Sequence, residues 1–347
     1  MTLPDSVAAV MWAGVTAYAL FGGADFGAGF WDLVAGGAHR GQRQRALIEH
    51  SIGPVWEANH VWLIFILVVM WTAFPGLFGS VSSTLWIPLT IAALGVIARG
   101  SAFAFRKNVT AAWQRQAFGA AFAASSVVTP YFLGAAAGAV ASGRVPPGIG
   151  TGNAVTSWWN PVSVLTGALA VVVCAYLAAV YLTADARRSG DQELIAQFRA
   201  RALVAGVAAG TIAVAGLAIL DGDAPALSAG LTHRALPLVI VSAASGIVAL
   251  GLLYRRFFLV ARIVAALAVT AVIWGWAVAE YPYVLRPQLT ISAAAATHSV
   301  LVAVLVTMAI GAVLLVPSLA WLYFIFQRAE LPAGQEVKSV LRSPGNR

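Results

Sequence analysis

Residues 161–183 read PVSVLTGALAVVVCAYLAAVYLT, an apolar run without one charged side chain. As an α-helix at 1.5 Å per residue it reaches about 35 Å, enough to cross a hydrocarbon layer of about 30 Å. Eight further segments have the same character: 7–34, 52–74, 83–105, 117–140, 202–220, 235–254, 257–279 and 296–326. They predict an all-α, polytopic membrane protein with about nine transmembrane helices. Residues 1–328 form a single nine-helix transmembrane domain, and 329–347 a polar tail without fixed structure.

The composition agrees. The chain is 60% hydrophobic and only 10% charged, with a mean hydropathy of +0.84. Soluble domains carry about a quarter charged residues, so this chain has too little polar surface to cover a globule in water. The net charge of +8 does not point to nucleic acid, because its basic residues are scattered through short loops. They follow the positive-inside rule instead. Of the 21 Lys and Arg, 17 lie on one side, in or beside the first, third, fifth and seventh connections and in the tail. Only Arg144, Arg234 and Arg286 lie in the alternate connections, and Arg99 falls inside a span. The N-terminus is therefore expected outside and the C-terminus in the cytoplasm. The single cysteine, Cys174, excludes a disulfide framework, a zinc cluster and a covalent haem attachment motif.

Ionisable residues inside a span cost about 2.5–3.5 kcal/mol on insertion scales and call for an explanation. Asp25, Glu57 and Arg99 occupy the first three spans, at depths of about 8–13 Å from their inner ends. They are expected to converge, with Arg99 pairing one carboxylate and leaving the other to titrate. Such a cluster is either a proton path or a charge-paired staple that fixes helix packing. Glu57 follows Gly53-Pro54 and is expected in a first helical turn, where the helix dipole favours its ionised form. Gly22, Gly23, Gly27 and Gly29 flank Asp25 and allow close helix approach.

Glu57 and His60 have the E-x-x-H spacing of di-iron bundles, but that fold needs a second such motif and two more glutamates. No metal site is expected. Of the five histidines only His60 and His298 fall within spans, so no axial haem pair is expected in this chain either. The intramembrane carboxylates also suit a proton-coupled secondary transporter. Against that alternative, the sequence presents no evident internal repeat and no paired broken helices.

Four blocks resemble subunit II of cytochrome bd-type quinol oxidases, in family order. They are Gly22-Gly23-Ala24-Asp25-Phe26-Gly27-Ala28-Gly29, then Gly53-Pro54-Val55-Trp56-Glu57-Ala58-Asn59-His60-Val61-Trp62, then Arg99-Gly100-Ser101-Ala102-Phe103-Ala104-Phe105-Arg106, and Tyr281-Pro282-Tyr283. The pattern is most similar to the divergent branch that includes cyanide-insensitive oxidases. The resemblance implies a haem-free subunit of the bacterial inner membrane, paired with a haem-bearing subunit I that holds haems b and d. It implies quinol as substrate of the complex, oxygen reduction to water, proton uptake from the cytoplasm, and in some members a structural quinone. Asp25, Glu57, Arg99 and Arg106 stand at matching positions, with Trp56, Asn59 and His60 in the same motifs. Gly22 and Ala104 stand where many members carry acids, which leaves fewer relay groups here.

Overall fold

The computed structural model describes residues 2–36, 41–52, 56–106, 109 and 111–328. The tail 329–347 lies outside them. Helices α1 (Leu3–Ala17) and α2 (Gly23–Leu33) are joined through a π-helical turn, Tyr18–Gly22, into one span. A short helix, α3 (Gln42–Ile52), precedes α4 (Trp56–Ala73). After α5 (Pro75–Thr84) come α6 (Trp86–Arg106), α7 (Ala112–Ala141), α8 (Pro161–Ser189) and α9 (Gln192–Asp223). Then follow α10 (Pro225–Thr232), α11 (Leu236–Tyr254), α12 (Phe258–Glu280), strands β1 (Tyr283–Leu285) and β2 (Leu289–Thr290), α13 (Ile291–Ala294) and α14 (His298–Arg328). Among the described residues eight helical segments are long and apolar enough to cross a membrane, or nine when the bent pair α4–α5 counts as one. All nine expected spans have a helix in place.

Local sequence explains where these helices start and stop. Thr2 and Asp5 form a reciprocal cap at the start of α1, satisfying two otherwise orphaned N–H groups. Asn160 caps α8 through the Ser163 N–H at 3.0 Å, with Pro161 in its first turn. Gly190 closes α8 in the left-handed region (φ 72°), and Asp191 at once caps α9 through the N–H groups of Glu193 and Leu194. Two residues thus turn the chain between spans.

Two long helices break alike. Phe74 (φ −134°, ψ 61°) leads into Pro75, and Ala224 (φ −142°, ψ 61°) leads into Pro225. A proline cannot extend the preceding helix, so a short helix follows each break. At the first, the axes of the two pieces differ by 118°. The Ala296 N–H donates to the carbonyl of Ala73 at 2.8 Å, covering one acceptor that the broken helix end exposes. Paired breaks were not expected from the sequence. The residues around them differ, and only the backbone angles and the two prolines carry the likeness.

Most of the apolar burial lies between α2, α8, α9, α11 and α12, built from small and branched residues such as Ala178, Ala179, Val180, Ala261 and Ala265. A second cluster packs α1, α4, α5 and α14 with the β1–β2 hairpin on the N-terminal face. Helix α3 lies on the opposite, arginine-rich face. Arg43 bonds Asp191 and, at 2.7 Å, Glu193. Gln44 donates to Gln197 at 2.7 Å and accepts from Arg201 at 2.8 Å. Arg45 meets the buried Asp32 at 2.9 Å. From its polar composition this segment reads as a plain connection. Here it is a helical brace between the end of the first span and the α8–α9 turn.

Candidate functional site: a buried charge cluster in the first four spans

Asp25 sits three residues beyond the π-helical turn, on α2, and is only 4% exposed. π-turns are rare and recur at functional sites. The Asp25 carboxylate accepts a hydrogen bond from the Asn59 side-chain amide of α4 through Oδ2 at 2.5 Å. The same amide donates to the carbonyl of Phe21 at 3.4 Å, at the π-turn. Asn59 is thus a clamp between the irregular turn and the acid, and it is itself buried.

Arg99, on α6, is 1% exposed. Its Nη2 donates to the main-chain carbonyl of Asp25 at 2.7 Å, and its Nη1 to the Ser126 hydroxyl of α7. The guanidinium lies over the rings of Phe26 (5.1 Å) and Phe122 (4.3 Å). A cation desolvated between aromatic faces gains on the order of 2 kcal/mol from each good contact, which offsets part of its burial cost. The expected partnership therefore takes a different form. Arg99 meets the backbone of Asp25 and does not come within ion-pair distance of its carboxylate, which Asn59 holds instead.

Glycine makes the arrangement possible. A Cβ on Gly29 would stand 2.0 Å from the Ser126 hydroxyl oxygen and 2.7 Å from Arg99 Nη1. A Cβ on Gly27 would stand 1.8 Å from the carbonyl oxygen of Cys174, so α2 and α8 touch backbone to backbone there. His60 packs edge-on against Tyr18 (6.3 Å) and Phe26 (5.9 Å). Among the described residues Tyr18 Oη, Arg99 Nε and Thr129 Oγ1 are buried without a hydrogen-bond partner.

Helix α4 begins at Trp56, which puts the Glu57 backbone in its first turn. The side chains of Trp56, Glu57 and Arg106 lie outside the described residues. The structure thus brings Asp25, Asn59, His60 and Arg99 together. It adds Tyr18, Phe26, Phe122 and Ser126, whose residue types carry no signal until four helices are assembled around Asp25. Among the described residues no three His, Cys, Asp or Glu side chains converge on a metal-sized site.

Outside the membrane spans, in the brace at α3, Arg43 and Asp191 each favour the other's charged form. The hydrogen bond from Arg43 to Asp191, joined by that to Glu193, holds the Arg43 guanidinium above its usual range. Burial pushes the Asp191 carboxyl up, but the Leu194 N–H and the Arg43 guanidinium outweigh it and hold it below the usual carboxylate range.

A multi-pass helical membrane protein with a buried carboxylate–arginine cluster in its first three spans is the class these features define. Residues 3–326 match the family described as cytochrome bd terminal oxidase subunit II, and the chain belongs to that family. The "Cytochrome bd ubiquinol oxidase subunit 2" of Bacillus subtilis is 28% identical over 207 residues, 58% of each chain. The "Cytochrome bd-I ubiquinol oxidase subunit 2" of Escherichia coli K12 is 26% identical over 227 residues, 63% of this chain and 58% of that one. The matched stretch thus spans 58% of the length of these curated relatives. A chain of the bd oxidase from Geobacillus thermodenitrificans shares the fold, with a TM-score of 0.73 over 94% of this chain and 99% of that one, at 24% identity. Family membership makes this a protein of the bacterial plasma membrane. It also displaces the transporter alternative, which the paired helix breaks alone would have strengthened.

Proposed function

We propose that this chain is the haem-free second subunit of a quinol:oxygen oxidoreductase, that it supports a haem-bearing subunit I, and that its buried cluster takes part in proton uptake. Two relatives are named as subunits of ubiquinol oxidases, which supports quinol as substrate of the complex and subunit I as partner. The haems belong to that partner in this reading. Among the described residues, His60 is packed edge-on between two rings, and His50, His233 and His298 stand at helix ends, an arrangement that offers no axial haem pair.

The observation that carries the proton role is the separation of Arg99 from the Asp25 carboxylate. A staple would close the pair. Here the arginine grips backbone and hydroxyl, and a neutral amide holds the acid. That leaves the carboxyl able to take and release a proton without breaking an ion pair. The buried Tyr18 and Arg99 polar atoms near it are of the kind that internal water serves. Glu57 belongs to the same path, nearer the arginine-rich face, and the arginine distribution sets that face toward the cytoplasm.

Purification through a tag on this chain tests the assembly. A second large membrane subunit should accompany it, with b- and d-type haem bands in the reduced-minus-oxidised spectrum. A colourless, solitary chain from cells expressing the partner would overturn the reading. Within the assembled oxidase, Glu57→Gln should lower turnover at full haem content, since an amide cannot relay protons. Wild-type turnover at full haem content would remove Glu57 from the path.

A further inference from the structure

Away from the charge cluster, the α11–α12 turn presents two adjacent arginines to solvent, Arg255 and Arg256. Among the described residues neither has a carboxylate within 4 Å. Its neighbourhood is short of acids. Asp185 is shared between Arg188 (3.9 Å) and Arg262 (3.7 Å), while Asp191 and Glu193 are taken by Arg43.

The turn is rigid. The N–H groups of Arg255, Arg256 and Phe257 donate to the carbonyls of Gly251, Leu253 and Leu252 at 2.9, 3.2 and 2.9 Å. Arg199 of α9 locks it from the side, donating to the carbonyls of Leu253 and Tyr254 at 2.8 Å each. Arg256 has φ 66°, a left-handed backbone that glycine adopts freely and a side-chain-bearing residue does not. An arginine stands where glycine would fit with less strain, and such outliers cluster at functional positions.

The surroundings match one ligand class. Tyr254 is 71% exposed and Phe257 57%, an aromatic pair of the kind found at a membrane interface. Beyond them, Val260 and Ile263 of α12 continue as an exposed apolar wall into the span. Fixed cations above an aromatic collar and an apolar wall fit a phosphodiester headgroup with its acyl chains below. We propose that the α11–α12 turn is a binding site for an anionic phospholipid, with Arg255 and Arg256 holding the headgroup phosphate. This site rests on the membrane fold alone and stands whether or not the proton role does.

Native mass spectrometry of the detergent-solubilised complex tests it, with phosphatidylglycerol and phosphatidylcholine of matched chains as probes. The wild type should retain phosphatidylglycerol in preference to phosphatidylcholine. The double variant Arg255→Gln/Arg256→Gln should weaken phosphatidylglycerol retention by roughly 30-fold, at about fivefold per arginine near the surface. The double lysine variant should restore most of it, since both side chains are exposed and neither forms an ion pair among the described residues. Equal retention of the two lipids by the wild type would overturn the site. So would unchanged retention in the double glutamine variant, or an equal loss in Arg144→Gln, whose arginine lies on the opposite face.

Discussion

The two broken helices of this protein share a backbone device and differ in what they enclose. At Phe74-Pro75 and at Ala224-Pro225 the chain turns through nearly the same angles into a short helix. Behind the first break, α4 and α6 bring Asn59 and Arg99 to the Asp25 carboxyl and carbonyl. Behind the second, α11 carries no charge from Leu236 to Tyr254, and the interior is built from residues such as Ala249, Leu253, Ala261 and Ala265. The difference shows that backbone architecture and interior chemistry are set separately. Proline position and hydropathy suffice for the fold in both halves. The buried charges are costly additions confined to one of them, the distribution expected when charge serves function and not stability.

Substitutions in the two halves should therefore fail differently. The largest effect is expected for Arg99→Ala, which leaves the Asp25 main-chain carbonyl without its donor, takes one of two partners from the Ser126 hydroxyl and empties the space between Phe26 and Phe122. Truncating a large buried side chain and losing its hydrogen bonds costs about 2–5 kcal/mol, so the yield of assembled complex on size exclusion should collapse. Arg99→Met with Asp25→Asn should recover part of that yield, because the paired change removes both buried charges. If Arg99→Ala assembles normally, the arginine is not the structural centre of the first half.

Gly27→Ala comes next. Its added methyl meets the Cys174 carbonyl, so α2 and α8 must part, and overpacking of this kind costs about 1–3 kcal/mol. A thermal-unfolding scan should show the loss. The same glycine-to-alanine change at Gly246 of α11, where nothing lies within 4 Å, should leave the transition in place or raise it slightly.

Asn59→Leu should cost less, on the order of 1–2 kcal/mol, by removing the donor to Asp25 while keeping the volume. It should also lower oxidase turnover more than it lowers haem content. A variant that loses haem and turnover in equal proportion would make Asn59 a packing residue only.

The smallest effect belongs to the brace outside the membrane. Asp191→Ala removes both a helix cap and the bond from Arg43, at about 1 kcal/mol. Asp191→Asn keeps the cap and should cost only a few tenths, as expected of an exposed pair. Because the folded protein holds the Asp191 carboxyl below its unfolded value, its contribution is complete above the ordinary aspartate range near pH 4. It is lost as pH falls through the depressed value. An unfolding series below pH 4 should therefore show the wild type converging on Asp191→Asn.

Much of this was legible before any coordinates. Long uncharged runs such as 161–183 cannot be anything but spans or deep core, and all nine expected spans are helical. Asp25 and Arg99 announced themselves as charges in apolar surroundings. What the sequence withheld was of two kinds. The α3 brace is polar and short, so its register depends on partners 150 residues away, such as Asp191 and Gln197. The cradle of Arg99 consists of Ser126, Phe122, Phe26 and the absent side chain of Gly29. Each is an ordinary membrane-helix residue whose role exists only where α2, α6 and α7 meet. Even the partner of Arg99 within Asp25 followed this rule, because the Asn59 amide occupies the carboxylate and leaves the carbonyl to the guanidinium. The paired breaks had a signal, Pro75 and Pro225 at matching helix ends, but no surrounding identity to draw attention to it.

The most direct measurement compares Asp25→Asn with wild type in the purified oxidase, recording quinol-driven oxygen consumption per haem d. Asparagine keeps the shape and can still bond Asn59, so haem content should hold while turnover falls roughly tenfold or more, the scale of a lost proton-transfer group. Full turnover per haem in Asp25→Asn would show that the buried cluster is a staple after all.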